Sequence, residues 1–347
     1  MKYKRIIVSK CGGPENLQLV EEEIPEPRSG EVRIKILTAG VSLADILMRE
    51  CVHPESIFKR GPFSLGWDIV GTIDKVGENV SATSTWQLGD IVAALPVVGG
   101  YAQYLCLPSN QLVSVPSGVD FAEAVATVLN YTTAYQMLHR CAHIKSGERI
   151  LVHGAAGGVG TSLLQLGKLE GLEMYGTSSL SKEKIVVELG GKPIDYKSVD
   201  FVQEIFKLTG DGVDAVFDGI GTKSLLRSYK TLRKGGRLIG YGFGSMMKDG
   251  RHRKYEIALN IINWIKLFAL NLIPDKRKII PYSIQTLKKR KPDLFLEDLQ
   301  ILLNLLKQEK IKPIVAARMQ LNEAAQAHEL LKTGSVTGKI VLICNSE

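Results

Sequence analysis

The sequence has few of the residues that build disulfide frameworks and metal sites. Five cysteines occur in 347 residues, and no two of them form a CxxC pair. An odd number of cysteines without paired spacing argues against a disulfide scaffold and against a cysteine-rich zinc lobe. We therefore expect five reduced and mostly buried thiols, namely Cys11, Cys51, Cys106, Cys141 and Cys344.

Targeting segments and repeats are also lacking. The amino-terminal stretch MKYKRIIVSKCGG is too short in apolar residues for a signal peptide, so we expect a cytoplasmic protein. No window shows a collagen, coiled-coil or repeat period. Apolar residues make up 45% of the chain and charged residues 23%, which is enough for packed cores and excludes wholesale disorder. The length of 347 residues suggests two domains.

The positive charge is concentrated in one segment. Residues 245–291 hold twelve basic and three acidic residues, a net +9, which leaves −1 for the rest of a chain of net charge +8. One local basic segment argues against a nucleic-acid partner. Within it, residues 257–273 predict an amphipathic helix that is too short and too polar to span a bilayer. It is either a lid or dimer-facing helix with solvated basic flanks, or a peripheral contact with an anionic membrane.

The pattern of apolar residues along the chain changes near Asp120. Before it, short apolar runs separated by Gly and Pro turns predict a small barrel-like β domain. Asp120 is a plausible N-cap for a helix over 121–139, and strands and helices then alternate over residues 149–241. Apolar strands joined by crossover helices predict an α/β fold with a doubly wound parallel sheet.

A glycine-rich turn is the strongest functional signal. The apolar strand 149–153 leads into GAAGGVG at residues 154–160, and an amphipathic helix follows. In this context the glycines allow a tight turn, and the helix N-terminus faces a pyrophosphate. A Cβ at Gly157 would obstruct the pyrophosphate or strain a left-handed turn. The predicted dinucleotide contacts are Gly154, Ala156, Gly157, Gly158, Val159 and Gly160.

The next strand favours NADPH over NADH. An acidic residue at its end would bind the ribose hydroxyl of NAD, but the sequence there is GTSSLSK. Ser178, Ser179 and Lys182 instead suit a 2′-phosphate. Alternatively, Ser181 caps the following helix and Lys182 is a solvated surface residue.

The chain resembles the zinc-independent quinone oxidoreductases of the medium-chain dehydrogenase/reductase superfamily, nearest to the branch of the vesicle amine transport protein. The segments that carry the resemblance are GVSLADILMRE (40–50), LGWDIVGTIDKVG (65–77), NYTTAY (130–135), HGAAGGVG (153–160) and TGKIVL (337–342). The resemblance implies a Rossmann domain over 124–312, with the basic helical insert at about 245–292. It also implies a discontinuous GroES-like β-barrel substrate domain, made of residues 1–123 and 313–347, and a homodimer.

The same resemblance implies further site residues. Asn130 and Thr133 match the family segment where the nicotinamide meets the substrate. The remaining cofactor contacts that it implies are Tyr196, Gly242, Phe243 and Lys339. Zinc-containing relatives carry a Cys at Val41 and a His-Glu pair at Trp67-Asp68, so the resemblance implies no metal here. The positions that often line the quinone site hold Ser42, Leu47 and His53, which puts the quinone substrate in question.

Two residues are candidates for proton chemistry. Tyr131 donates a proton or orients a carbonyl, or else it only packs at a domain interface. Asp45 relays protons, or else it makes a structural hydrogen bond. The predicted function is an NADPH-dependent reductase of quinones or α,β-unsaturated carbonyls. The alternative is an NADPH-binding, weakly catalytic or non-catalytic adaptor associated with membranes.

Overall fold

The computed structural model describes residues 1–56, 61–80, 86–221, 223–242, 262, 265–266, 269–270 and 275–345. The chain forms two compact units. The first consists of Met1–Thr132 and Lys288–Glu347, and the second of Thr133–Leu287. The domain boundaries near residues 124 and 312 stay predictions. The helix predicted over 257–273 falls mostly outside the described residues.

Strands form the two sheets of the first unit and the central sheet of the second. In chain order they are β1 (Lys2–Val8), β2 (Leu17–Glu23), β3 (Glu31–Val41), β4 (Phe63–Ser64), β5 (Ile69–Val76), β6 (Ile91–Ala94), β7 (Tyr104–Pro108), β8 (Val113–Ser114), β9 (Arg149–His153), β10 (Glu173–Ser178), β11 (Gly191–Asp195), β12 (Val213–Asp218), β13 (Leu232–Gly240), β14 (Lys278–Pro281), β15 (Val315–Gln320) and β16 (Lys339–Ile343).

The α-helices occur in both units, and those of the second unit alternate with its strands. In chain order they are α1 (Leu43–Arg49), α2 (Phe121–Ala126), α3 (Thr132–Tyr135), α4 (Gly158–Leu169), α5 (Glu183–Glu188), α6 (Phe201–Thr209), α7 (Lys223–Lys230), α8 (Ile284–Arg290), α9 (Pro292–Lys307) and α10 (Ala324–Lys332). Wider π-helical turns cover Thr127–Tyr131 and Gln136–Ala142. The predicted N-cap is confirmed, because the Asp120 carboxylate accepts the Glu123 N–H.

The first unit is built mostly on antiparallel pairing, and its one parallel pair among the described strands is β15 with β16. A seven-stranded sheet has the order β15-β16-β3-β5-β6-β8, and β7 also pairs with β3. A second sheet has the order β2-β1-β4. In β3, Val32, Ile34 and Ile36 are fully buried, so one face of this long strand forms the core. Its neighbour α2 packs on the strand as a short amphipathic helix.

The expectation of five reduced thiols is wrong in one place. Cys11 and Cys51 form a disulfide, with Cα atoms 5.5 Å apart. The loop after β1 and the end of α1 bring them together, because Gly12 N–H donates to the Arg49 carbonyl and the Arg49 guanidinium donates to the Gly12 carbonyl. The bridge spans 40 residues of sequence, which no local spacing could reveal.

The second unit contains the predicted parallel sheet. Its six strands have the order β11-β10-β9-β12-β13-β14, and each neighbouring pair is parallel. Leu151, Tyr175, Val216 and Leu238 are fully buried in its core, where they pack against the crossover helices. The order of the strands reverses between β9 and β12, and the carboxyl ends of β9, β10 and β12 meet at one edge of the sheet.

One residue of the basic segment 245–291, Lys288, packs within the first unit. The Lys288 ammonium donates to the Leu95 carbonyl at 2.7 Å and lies 5.4 Å from the Phe295 ring centroid. Burial lowers the pKa of Lys288 to about 8. Lys288 therefore belongs to the packing of the first unit rather than to a solvated basic flank. Among the helices that the structure describes, none combines the length and the apolar character needed to cross a lipid bilayer.

Candidate nucleotide-binding site

The glycine-rich turn joins β9 to α4. Gly154 has φ +65°, in the left-handed region that favours glycine. The Gly157 N–H donates to the Gly154 carbonyl at 2.9 Å, and the Ala155 N–H donates to the Thr177 carbonyl at 3.0 Å. Gly157 itself has φ −79°, so of the two effects expected of a Cβ there, strain of a left-handed turn is wrong and obstruction of the pyrophosphate stays a prediction. The residue that needs a glycine for its backbone angle is Gly154.

Lack of space, rather than backbone angle, explains Gly160. A Cβ on Gly160 would collide with the Gly154 carbonyl oxygen and lie 2.7 Å from the Ala155 Cα, so α4 can pack on the turn only without it. A Cβ on Gly157 would meet only the Gly154 oxygen, at 3.3 Å, and would otherwise project into open space. The first amides of α4, at Gly158, Val159 and Gly160, have no acceptor within the helix. They form a cradle that fits an anionic group.

The end of β10 carries an unusual buried hydroxyl. Ser178 is 4% exposed, and its Oγ has no hydrogen-bond partner among the described residues. An unpaired buried hydroxyl costs about 1–3 kcal/mol, so such an atom points to a missing partner. Ser179 follows it, and its hydroxyl lies 3.1 Å from that of Ser181. The serines at the end of β10 lie beside the glycine turn, because β10 pairs with β9.

Lys182 is half-buried just beyond these serines, and burial lowers the pKa of its ammonium. A phosphate placed beside it would compensate for the lost hydration. The alternative in which Ser181 caps the next helix is wrong. That helix begins at Glu183, its N-cap is Lys182, and no side chain caps it.

The remaining predicted contacts of the second unit lie elsewhere in the chain. Tyr196 follows β11 and is 55% exposed. Gly242 follows β13, and a Cβ there would collide with the Gly219 carbonyl oxygen. Thr133 is buried in α3. Phe243 lies outside the described residues.

A polar network that the sequence analysis missed lies beneath the turn. The His153 imidazole is 3.1 Å from the Thr177 hydroxyl and 2.9 Å from the Ser228 hydroxyl. Ser228 Oγ lies 2.7 Å from the Asp218 carboxylate, and the Gly154 N–H donates to Thr177 Oγ1 at 3.2 Å. The sequence positions of these residues could have indicated the network. His153, Thr177 and Asp218 lie at or next to the carboxyl ends of three adjacent parallel strands.

Four of the predicted site residues belong to the first unit. Asn130 and Tyr131 are 7% and 2% exposed and lie in the π-helical turn that follows α2. Asp45 is fully buried at the start of α1. Lys339 is 3% exposed at the start of β16. These placements leave the catalytic roles of Tyr131 and Asp45 as predictions.

The hydrogen bonds of Asp45 describe a structural anchor. One carboxylate oxygen accepts the Ser42 N–H at 2.9 Å and the Ser42 hydroxyl at 2.6 Å. The other accepts the Gly66 N–H at 2.9 Å. Burial, with some repulsion from Asp68, raises the pKa of Asp45 to about 6 although these hydrogen bonds oppose the rise. The carboxyl group therefore closes a capping box and also holds the loop that precedes β5.

Asp68 and Lys339 form a buried ion pair. Their charged atoms are 2.8 Å apart, and the side chains are 0% and 2% exposed. Burial raises the pKa of Asp68, and the Lys339 ammonium opposes that rise. The resemblance implies metal ligands at these positions in zinc-containing relatives, but Val41 and Trp67 provide no donor of the kind that zinc prefers. A single carboxylate already paired with an ammonium does not fit a zinc ion.

Over the stretches that the structure describes, no three His, Cys, Asp or Glu side chains gather closely enough to hold a metal ion.

Comparison with known families matches both parts of the chain. The model described as "Alcohol dehydrogenase GroES-like domain" matches residues 28–117. The model described as "Zinc-binding dehydrogenase" matches residues 189–342. Together with the parallel sheet, these matches confirm the predicted fold class of a Rossmann-type sheet combined with a GroES-like domain, although the described strands of the first unit do not close into the expected barrel.

Individual relatives cover nearly the whole chain. "Synaptic vesicle membrane protein VAT-1 homolog" of Danio rerio is 29% identical over 98% of this chain and 70% of its own length. "Quinone oxidoreductase" of Pongo abelii is 28% identical over 98% of this chain and 97% of its own. The crystal structure of Escherichia coli quinone oxidoreductase complexed with NADPH is similar with a TM-score of 0.83, at 26% identity, over 98% of this chain and 99% of that one. That of human VAT-1 homolog-like protein has a TM-score of 0.82, at 26% identity, over 100% and 99%.

Proposed function

We propose that this chain is an NADPH-dependent reductase of the zinc-independent quinone oxidoreductase family of the medium-chain dehydrogenase/reductase superfamily, near the VAT-1 homologues. The acceptor that we propose is a quinone or an α,β-unsaturated carbonyl, reduced without zinc. The observation that carries the cofactor is the buried Ser178 hydroxyl, which has no partner in the described chain and lies at the end of β10.

The second unit has the parts that this cofactor needs. The first amides of α4 hold the pyrophosphate, because a helix N-terminus favours negative charge. Ser178 donates its hydroxyl to the 2′-phosphate, and the Lys182 ammonium balances its charge. No acidic residue stands in the segment 176–182 to repel that phosphate. When bound, NADPH supplies the hydride, and the protein supplies position and charge.

The choice between a quinone and an enone as acceptor depends on how much activation each needs from the protein. A quinone accepts hydride readily and needs little activation, whereas an enone needs a better-placed proton donor. We assign the donor role to the Tyr131 hydroxyl, with water as the alternative source. A Tyr131→Phe variant that keeps NADPH affinity but loses turnover with enones would support Tyr131. Unchanged turnover in that variant assigns the proton to water.

The cofactor assignment is tested by titrating NADPH and NADH against nicotinamide fluorescence. NADPH should bind more tightly by about 10- to 150-fold, the value of a charge-assisted hydrogen bond. Lys182→Ala should collapse this ratio, and Lys182→Arg should preserve most of it. Lys184 is the matched control, since its side chain is 90% exposed and pairs with Glu188. Equal affinity of the wild-type protein for the two nucleotides would refute the assignment.

A second candidate function has support from the names of the relatives. Several are called synaptic vesicle membrane proteins, which favours a weakly catalytic, NADPH-binding adaptor at a membrane surface. The two functions separate in one assay, because steady NADPH oxidation with a panel of quinones and enones identifies a reductase. Nucleotide binding without turnover, together with sedimentation on anionic liposomes, identifies the adaptor. We also propose a homodimer, which analytical ultracentrifugation tests directly.

A further inference from the structure

In the network of Asp218, Ser228, His153 and Thr177 beneath the glycine turn, the donor and the acceptor of each hydrogen bond can be assigned. Asp218 lies at the end of β12, where its Oδ1 accepts the N–H groups of Ile220 and Gly221 at 2.8 and 3.1 Å. A carboxylate can only accept, so the Ser228 hydroxyl, 2.7 Å from Oδ2, donates its proton to Asp218. Ser228 is fully buried, away from bulk solvent. The hydroxyl oxygen of Ser228 is left as an acceptor.

That acceptor determines the tautomer of His153. Nε2 lies 2.9 Å from Ser228 Oγ and must therefore carry a proton. Burial, with a contribution from the positive charge of Arg227, lowers the pKa of His153, although Asp218 opposes this. The ring edge also packs against Phe201, with the two centroids 4.7 Å apart. A neutral imidazole protonated on Nε2 leaves Nδ1 as an acceptor.

The last member of the network contacts the turn itself. Thr177 Oγ1 lies 3.1 Å from His153 Nδ1, so the hydroxyl donates its proton to the ring. The same oxygen then accepts the Gly154 N–H at 3.2 Å, while the Thr177 carbonyl accepts the Ala155 N–H at 3.0 Å. Thr177 thus binds two successive amides of the turn, and Gly154 is the residue whose left-handed angle starts it.

We propose that His153, held by Ser228 and Asp218, is a positioning residue for the nucleotide, because it orients the Thr177 hydroxyl that holds the pyrophosphate-binding turn. The constellation contains a serine, a histidine and an aspartate, but it is not a nucleophilic triad. The serine lies between the other two and gives its proton to the carboxylate, and all three side chains are buried. The inference rests on the proposed function, since it concerns how the turn binds NADPH.

The experiment compares Thr177→Val, which removes both hydrogen bonds of the hydroxyl, with Thr177→Ser, which retains them. Three probes are titrated: NADPH, NADH and 2′-AMP, which carries a 2′-phosphate but no pyrophosphate. Thr177→Val should weaken NADPH and NADH by the same factor of about three to ten, the value of one neutral hydrogen bond. Affinity for 2′-AMP should stay unchanged, and Thr177→Ser should restore both dinucleotides.

Ser228→Ala provides a second route if Thr177→Val folds poorly. It leaves Thr177 intact but deprives His153 Nε2–H of its acceptor, so it should produce the same selective loss. In the wild-type protein, nitrogen-15 shifts of the imidazole should show the neutral Nε2–H tautomer at pH 7. The His153 signal is identified by its disappearance in His153→Gln, and Ser228→Ala should shift it.

The possible results separate the inference from the proposed function. Wild-type binding of NADPH with unchanged dinucleotide affinities in Thr177→Val and Ser228→Ala would overturn the inference alone. A parallel loss of 2′-AMP affinity would overturn it too, because it would indicate a general structural role. A wild-type protein that binds neither dinucleotide would overturn the proposed function and the inference together.

Discussion

Replacing Asp45 by Asn should change how the stability of the protein depends on pH. The carboxyl group is fully buried, and burial raises its pKa from an ordinary 3.8 to about 6. Folding therefore favours the protonated form. A shift of about two units corresponds to about 3 kcal/mol between the two protonation states. Well below pH 3.8 the group is protonated in both the folded and the unfolded chain, and the penalty is absent. Above pH 6 it is fully present.

The assay is urea denaturation of wild-type protein and Asp45→Asn at intervals from pH 4 to pH 7. The variant loses the second acceptor oxygen that Ser42 uses, which lowers its stability by an amount independent of pH. The advantage of the wild-type protein should therefore shrink by up to about 3 kcal/mol as the pH rises through this range. The shape of this difference, rather than its absolute size, carries the prediction.

Asp120 provides a control of opposite sign. Burial acts to raise its pKa, but hydrogen bonds from Arg318 and from the Glu123 N–H outweigh this and lower it. A lowered carboxyl pKa stabilises the folded state above the unfolded value, and this stability is lost as the pH falls. The advantage of wild type over Asp120→Asn should not shrink between pH 4 and pH 7. A constant advantage of wild type over Asp45→Asn would refute the argument that Asp45 is ionised at the expense of folding.

Three further predictions concern the cofactor, the membrane and the metal. Gly157→Val should abolish NADPH binding while the apo protein keeps its melting temperature, since the new side chain projects into open space beside the turn; retained affinity would remove Gly157 from the site. Reversal of Lys289, Arg290 and Lys291 to Glu should weaken sedimentation with anionic liposomes, by roughly 1 kcal/mol for each residue near the surface. Lys288 is left out of this variant because its ammonium donates to the buried Leu95 carbonyl. If the wild-type protein does not sediment with anionic liposomes at low salt, the membrane interpretation is wrong. Elemental analysis after dialysis should find no stoichiometric zinc, and chelators should leave turnover intact; one zinc per chain would contradict the zinc-free proposal.

Local patterns in the sequence are sufficient for several features. The alternation of strands and helices over 149–241 predicts the parallel sheet, and the glycine turn with its flanking strand and helix predicts the nucleotide site. Such features depend on the periodicity and the turn chemistry of adjacent residues, which a single sequence displays directly. The strand β14 was missed because it lies in the basic segment, where charge rather than alternation dominates.

Other features depend on contacts between distant residues, and only the tertiary structure decides them. Cys11 meets Cys51 across 40 residues, His153 meets Ser228 across 75, and Lys288 meets Leu95 across 193. The number and spacing of the cysteines predict free thiols, and the run at 288–291 predicts four solvated charges, because composition carries no information on pairing. Burial has the same origin. Asp45 reads as a helix-start residue in the sequence, yet its raised pKa comes from the packing that removes it from water.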